Sequence, residues 1–159
     1  MDLAAILTNS LWSGLFAGGL GIILTAAPRH IVPAFFCGFA GRFARDVLMG
    51  WGLTQNWSTA VAAAVVVLAA VAITRRHAVN PVVMVSGVLP LGAAIAMFNT
   101  IIDLMKVSSL KGEALSEAAV ALIANTGKVF VTSLAIALGL TAGVIIARLF
   151  RRQKVWEGG

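Results

Sequence analysis

Ionisable residues are scarce in this chain: Asp, Glu, Lys and Arg make up 11% of it, against 60% hydrophobic residues. A soluble domain carries roughly a quarter charged residues, so this balance, with a mean hydropathy of +0.97, excludes one and points to an integral membrane protein. Several motifs are also missing. No Gly-x-x-x-x-Gly-Lys-Ser/Thr loop is present to cradle a nucleotide phosphate, and neither a Gly-x-Ser-x-Gly elbow nor a His-Glu-x-x-His pair offers a catalytic set. The expectation is therefore a non-enzyme without a cofactor. Cys37 is the single cysteine, which rules out a disulfide framework and a thiol metal site. His30 and His77 stand beside arginines without ligand spacing, so no metal is expected. Met1-Asp2-Leu3 lacks a basic n-region and the apolar run after it is too long for a signal-peptide core, so the first helix is expected to stay.

What is present is a series of apolar runs. At about 20 residues per crossing, 159 residues accommodate an all-α membrane domain of about five transmembrane helices, placed near 4–27, 31–53, 58–74, 81–102 and 129–147, with a polar connection at 103–117. Gly14 to Gly18 and Gly139 to Gly143 are Gly-x-x-x-Gly spacings that permit close backbone approach. Pro28 closes the first helix, and Pro33 suits the first turn of the second. Trp51 and Trp57 bracket a short loop as aromatics do at a membrane interface, and Asn56 or Ser58 can cap the third helix. The third helix, nearly all Ala and Val, ends at Arg75-Arg76-His77. In the fourth, Pro90 removes a backbone donor, so a kink or break is expected there, with Gly92 beside it. The last helix is expected to start at Ser116 and to bend near Gly127.

The net charge of +6 is read through topology and not as a sign of nucleic acid. With the N-terminus outside, Arg29, Arg75, Arg76, Arg148, Arg151, Arg152 and Lys154 fall on the inner side, and Lys106 and Lys111 on the outer. Seven against two obeys the positive-inside rule for an N-out, C-in chain.

The second run holds the candidate site. Gly41-Arg42-Phe43-Ala44-Arg45-Asp46 sets three ionisable groups inside a stretch otherwise apolar enough to cross a bilayer, where each costs about 2.5–3.5 kcal/mol on insertion scales. Helical spacing puts them on one broad face, with Asp46 able to pair with Arg42. One positive charge is then left over, which favours binding of an anion, whereas a packing device needs only the pair. Arg42, Arg45 and Asp46 are thus candidate substrate-binding residues. Pro90, Gly92 and Asn99 in the fourth run join them, as does Lys128, read chiefly as snorkelling to the outer interface.

The order of these pieces resembles the threonine/serine exporter family, in particular its small subunit equivalent to the C-terminal membrane half of the full-length exporters. The resemblance runs from about Gly21 to Arg152. It rests on Gly41-Arg42 with Arg45, on Gly52 with Trp57-Ser58-Thr59, on the basic end of the third helix, on Pro90, and on Lys106-Val107-Ser108 with Ser116-Glu117. It implies a subunit of a bacterial inner-membrane secondary exporter of small carboxylates or amino acids, acting with a larger membrane subunit. Split pairs in the family are associated with succinate and fused forms with threonine and serine. Family members commonly carry a second Pro-Gly in the fourth helix where this chain has Ala93-Ala94, which implies a milder break. A homo-oligomer is left open, and so is a second reading, a membrane scaffold that transports nothing.

Overall fold

The computed structural model describes residues 3–24, 27–73, 81–91 and 93–156. Every regular element among them is helical: α1 (Leu3–Ile23), a 3₁₀ turn at Pro28–His30, α2 (Ile31–Gly50), α3 (Gln55–Ile73), α4 (Pro81–Val88), a 3₁₀ turn at Leu89–Leu91, α5 (Ala93–Ser109) and α6 (Glu113–Trp156). Two compact units divide the chain. The first comprises Met1–Leu91 and Ala135–Gly159, the second Gly92–Leu134.

Among the described residues three helical stretches are, by length and composition, apolar enough to cross a membrane: α1, α3, and Ala114–Leu149 within α6. Two of the expected spans fall outside that group for reasons written in their residues. α2 carries the three charges of its Arg-Arg-Asp face. The fourth run is divided, because Pro90 ends α4 at Val88 and leaves only a 3₁₀ turn before α5 begins.

In the first unit α2 is the element that α1, α3 and α4 all pack against, and small residues let them come close. A Cβ placed on Gly38 would fall on the Cβ of Ala17 in α1, and one on Gly41 would lie 2.5 Å from Val66 Cγ2 in α3. Gly139 and Gly143 of α6 meet α3 in the same way, at Ala60 with Ala63 and at Ala64 with Val67.

Several helix ends differ from the sequence reading. α1 stops at Ile23 rather than 27. α2 stops at Gly50 rather than 53, because Gly52 takes φ +88° and closes a Schellman end: its N–H donates to Met49 O at 3.0 Å and that of Leu53 to Leu48 O at 3.2 Å. α3 starts at Gln55, so Asn56 and Ser58 lie inside its first turn instead of capping it, and the Ser58 hydroxyl donates back to Thr54 O at 3.1 Å. Arg75, Arg76 and His77, the expected end of that helix, lie outside the described residues. α5 continues to Ser109 and α6 begins at Glu113, not Ser116, which reduces the expected polar connection to residues 110–112. α5 tolerates its polar end because Ser108 and Ser109 donate to Met105 O, at 2.7 and 3.0 Å. α6 is helical without interruption through Gly127, where a bend was expected. A single glycine costs a helix only about 1 kcal/mol, which the long run on either side absorbs.

Candidate functional site

Cys37, Gly41 and Arg45 follow one another at intervals of four on α2 and share one face. α4 lies along that face so closely that a Cβ on Gly87 would stand 2.8 Å from Cys37 Cβ and 2.9 Å from Val66 Cγ1. One turn further on, Leu91 reaches Gly41, with its Cδ2 3.5 Å from where a Cβ would be. Arg45 is the next step of this register. Its Nη1 donates to the backbone carbonyl of Leu91 at 2.6 Å.

The acceptor lies one residue past the proline. Pro90 has no N–H to offer the carbonyl four residues back, the α-helix gives way there to the 3₁₀ turn, and the last carbonyls of a helical segment lack helical donors. They also form the negative end of the helix dipole, where a cation is stabilised. Arg45 is 7% exposed, and its Nε, buried as well, has no hydrogen-bond partner among the described residues.

Arg42 is differently placed. Its Nε donates to Asp46 Oδ2 at 2.9 Å, with both side chains partly buried. Asp46 therefore answers Arg42, and the charge of Arg45 is set against a neutral carbonyl. This is the arrangement the spacing suggested for Arg42 and Asp46. The role of Leu91 was not legible, since a backbone acceptor has no signature in sequence.

Pro90 is half-buried at the turn, and Gly92 lies outside the described residues. Asn99 and Lys128 belong to the second unit and are exposed. Two buried polar groups were missed. Ser86, four residues before Pro90, is fully buried and its hydroxyl has no partner, although Ser10 and Thr59 each donate to the carbonyl four residues back at 2.7 Å. In the second unit Asp103, 7% exposed, accepts from Asn125 Nδ2 at 2.6 Å and has Lys106 Nζ 3.7 Å from its Oδ1. Their signal was a polar residue inside an apolar run. Among the described residues no three His, Cys, Asp or Glu side chains gather as metal ligands would.

An under-compensated arginine at a broken helix suits anion handling but does not by itself name a lineage. A family model described as Threonine/Serine exporter, ThrE, matches residues 9–150. The chain belongs to the threonine/serine exporter family. It is thus an exporter-type transporter and a membrane protein, and the family region takes in α2, the Pro90 break and most of α6. No curated protein and no solved structure gives a significant match to this exporter.

Proposed function

We propose that this chain is the small subunit of a two-component bacterial inner-membrane exporter, five-spanning with N-out and C-in topology. It moves a small carboxylate or amino acid of the succinate or threonine/serine class, by alternating access against a larger membrane subunit. The observation that carries the reading is the buried guanidinium of Arg45, bonded to a carbonyl while Asp46 is bonded to Arg42. A substrate carboxylate is a better partner than a carbonyl, because it accepts two parallel bonds from the guanidinium and answers its charge. It would take Arg45 from Leu91 and release the turn at Pro90.

Arg42 supplies a second positive charge once Asp46 yields it, which suits a dicarboxylate. Pro90 supplies the deformable wall, and Gly92, Asn99 and Lys128 stay in the proposal on their residue types alone. With no nucleotide loop in the sequence, the drive is a substrate gradient, an ion gradient or the partner.

Replacing Arg45 by lysine keeps the charge but reduces recognition to a point charge. In vesicles holding this chain and its larger partner, preloaded with labelled succinate, threonine or serine, R45K is expected to assemble normally and to lose about tenfold or more of its efflux. Equal loss of assembly and efflux would show that Arg45 only holds helices together, as in a scaffold, and would sink the reading.

A further inference from the structure

Asp103 has no part in the arginine site, yet it is held with care. It sits in an α5–α6 pair whose outward side chains are strongly apolar, Phe98 at 64% and Ile123 at 72% exposure among them, while Asp103 itself is at 7%. Taking a carboxylate out of water costs several kcal/mol, so an acid kept there is paired or takes up a proton.

Two groups face it, one from each helix of this unit. From α6, Asn125 Nδ2 donates to Oδ2 at 2.6 Å. From α5, Lys106 Nζ stands 3.7 Å from Oδ1, beyond hydrogen-bond distance, on a side chain that is 57% exposed. Lys111, Glu117 and Lys128 are all exposed. The two oxygens are therefore unlike: one is fixed by an amide, and the other is compensated by a cation that is free to swing into water.

With Lys106 in place the carboxylate has a cation beside it. With Lys106 away, a buried anion is left with one amide donor, and a proton added to Oδ1 removes the charge. Asn125 can serve both forms, since its N–H donates to the ionised oxygen and, after a flip, its carbonyl accepts from the protonated acid. A metal cation would need several oxygen ligands, and among the described residues no three His, Cys, Asp or Glu side chains gather here.

We infer that Asp103, with Asn125 and Lys106, is a proton-binding site of this exporter, loaded and emptied by the position of the Lys106 ammonium. One proton from water adds to Oδ1 to give the neutral acid, and the same proton returns to water when Lys106 comes back. That this proton drives export rests on the reading proposed above; that Asp103 binds it does not.

Infrared difference spectra of the purified full-length chain between neutral and acid pH test the binding directly. Subtracting the D103N spectrum from that of the wild type should leave a protonated-carboxyl C=O component due to Asp103, which returns in D103E and persists to higher pH in K106M. Identical spectra for D103N and wild type, or a component unmoved in K106M, overturn the site. K106M leaves the acid untouched, so it decides even if D103N fails to insert.

In vesicles with the larger partner, D103N should keep substrate exchange at equal pH and lose its acceleration by an imposed pH gradient. Acceleration by a sodium gradient in place of a pH gradient would overturn the proton as ligand. Absence of efflux from every combination would sink the exporter partnership and leave the infrared result standing.

Discussion

Two glycines on α6 make a controlled comparison. A Cβ on Gly139 would fall on the carbonyl oxygen of Ala60 and lie 2.8 Å from Ala63 Cβ, whereas one on Gly127 would meet nothing within 4 Å. Replacing either by alanine gains the same helix propensity, about 1 kcal/mol, so that gain cancels between them. What remains is the overpacking at Gly139, where the obstacle is backbone and a Cβ, neither able to move by a rotamer change; such insertions cost about 1–3 kcal/mol. G139A is therefore expected to be less stable than G127A by about 1–3 kcal/mol, roughly a 5- to 150-fold difference in the folding equilibrium. Reversible unfolding of the purified variants in mixed micelles, followed by far-ultraviolet circular dichroism and tryptophan fluorescence, would measure it. Equal stability of the two variants would refute the argument that α3 and α6 meet through this glycine.

Gly52 should be sensitive for a different reason: it has open space around it but a φ of +88°, so G52A is expected to cost about 1–2 kcal/mol through its left-handed backbone alone. A neutral G52A in the same unfolding assay would mean that α2 does not end on this motif. Cys37 is fully buried at the contact with Gly87, so a thiol reagent should label it roughly 100-fold or more slowly in the folded chain than in the unfolded one. Rapid labelling in intact vesicles would show that the α2–α4 contact opens readily.

The helical class was legible in the sequence because apolar runs of about 20 residues allow little else in a bilayer. The pairing of Arg42 with Asp46 was legible too, being fixed by the four-residue spacing of a single helix. Helix ends were less so. Pro33 and Pro90 mark themselves, but the stop at Gly50 depends on the φ of Gly52, and the run of α5 to Ser109 on hydroxyls bonding backwards to Met105. Least legible were contacts between residues distant in the chain. Arg45 with Leu91 is a side chain meeting a carbonyl 46 residues away, and Asp103 with Asn125 joins two helices across a turn; neither spacing carries a pattern.

The length of α6 has a consequence in terms of bilayer thickness. As continuous helix, the 36 residues of Ala114–Leu149 measure about 54 Å at 1.5 Å per residue, against a hydrocarbon core of about 30 Å. Even at a tilt of about 40°, the upper end of what membrane helices show, roughly 26 residues reach across. About ten residues are left for the headgroups and water, and the exposed Glu117, Thr126 and Lys128 in the first half of the stretch suit that place.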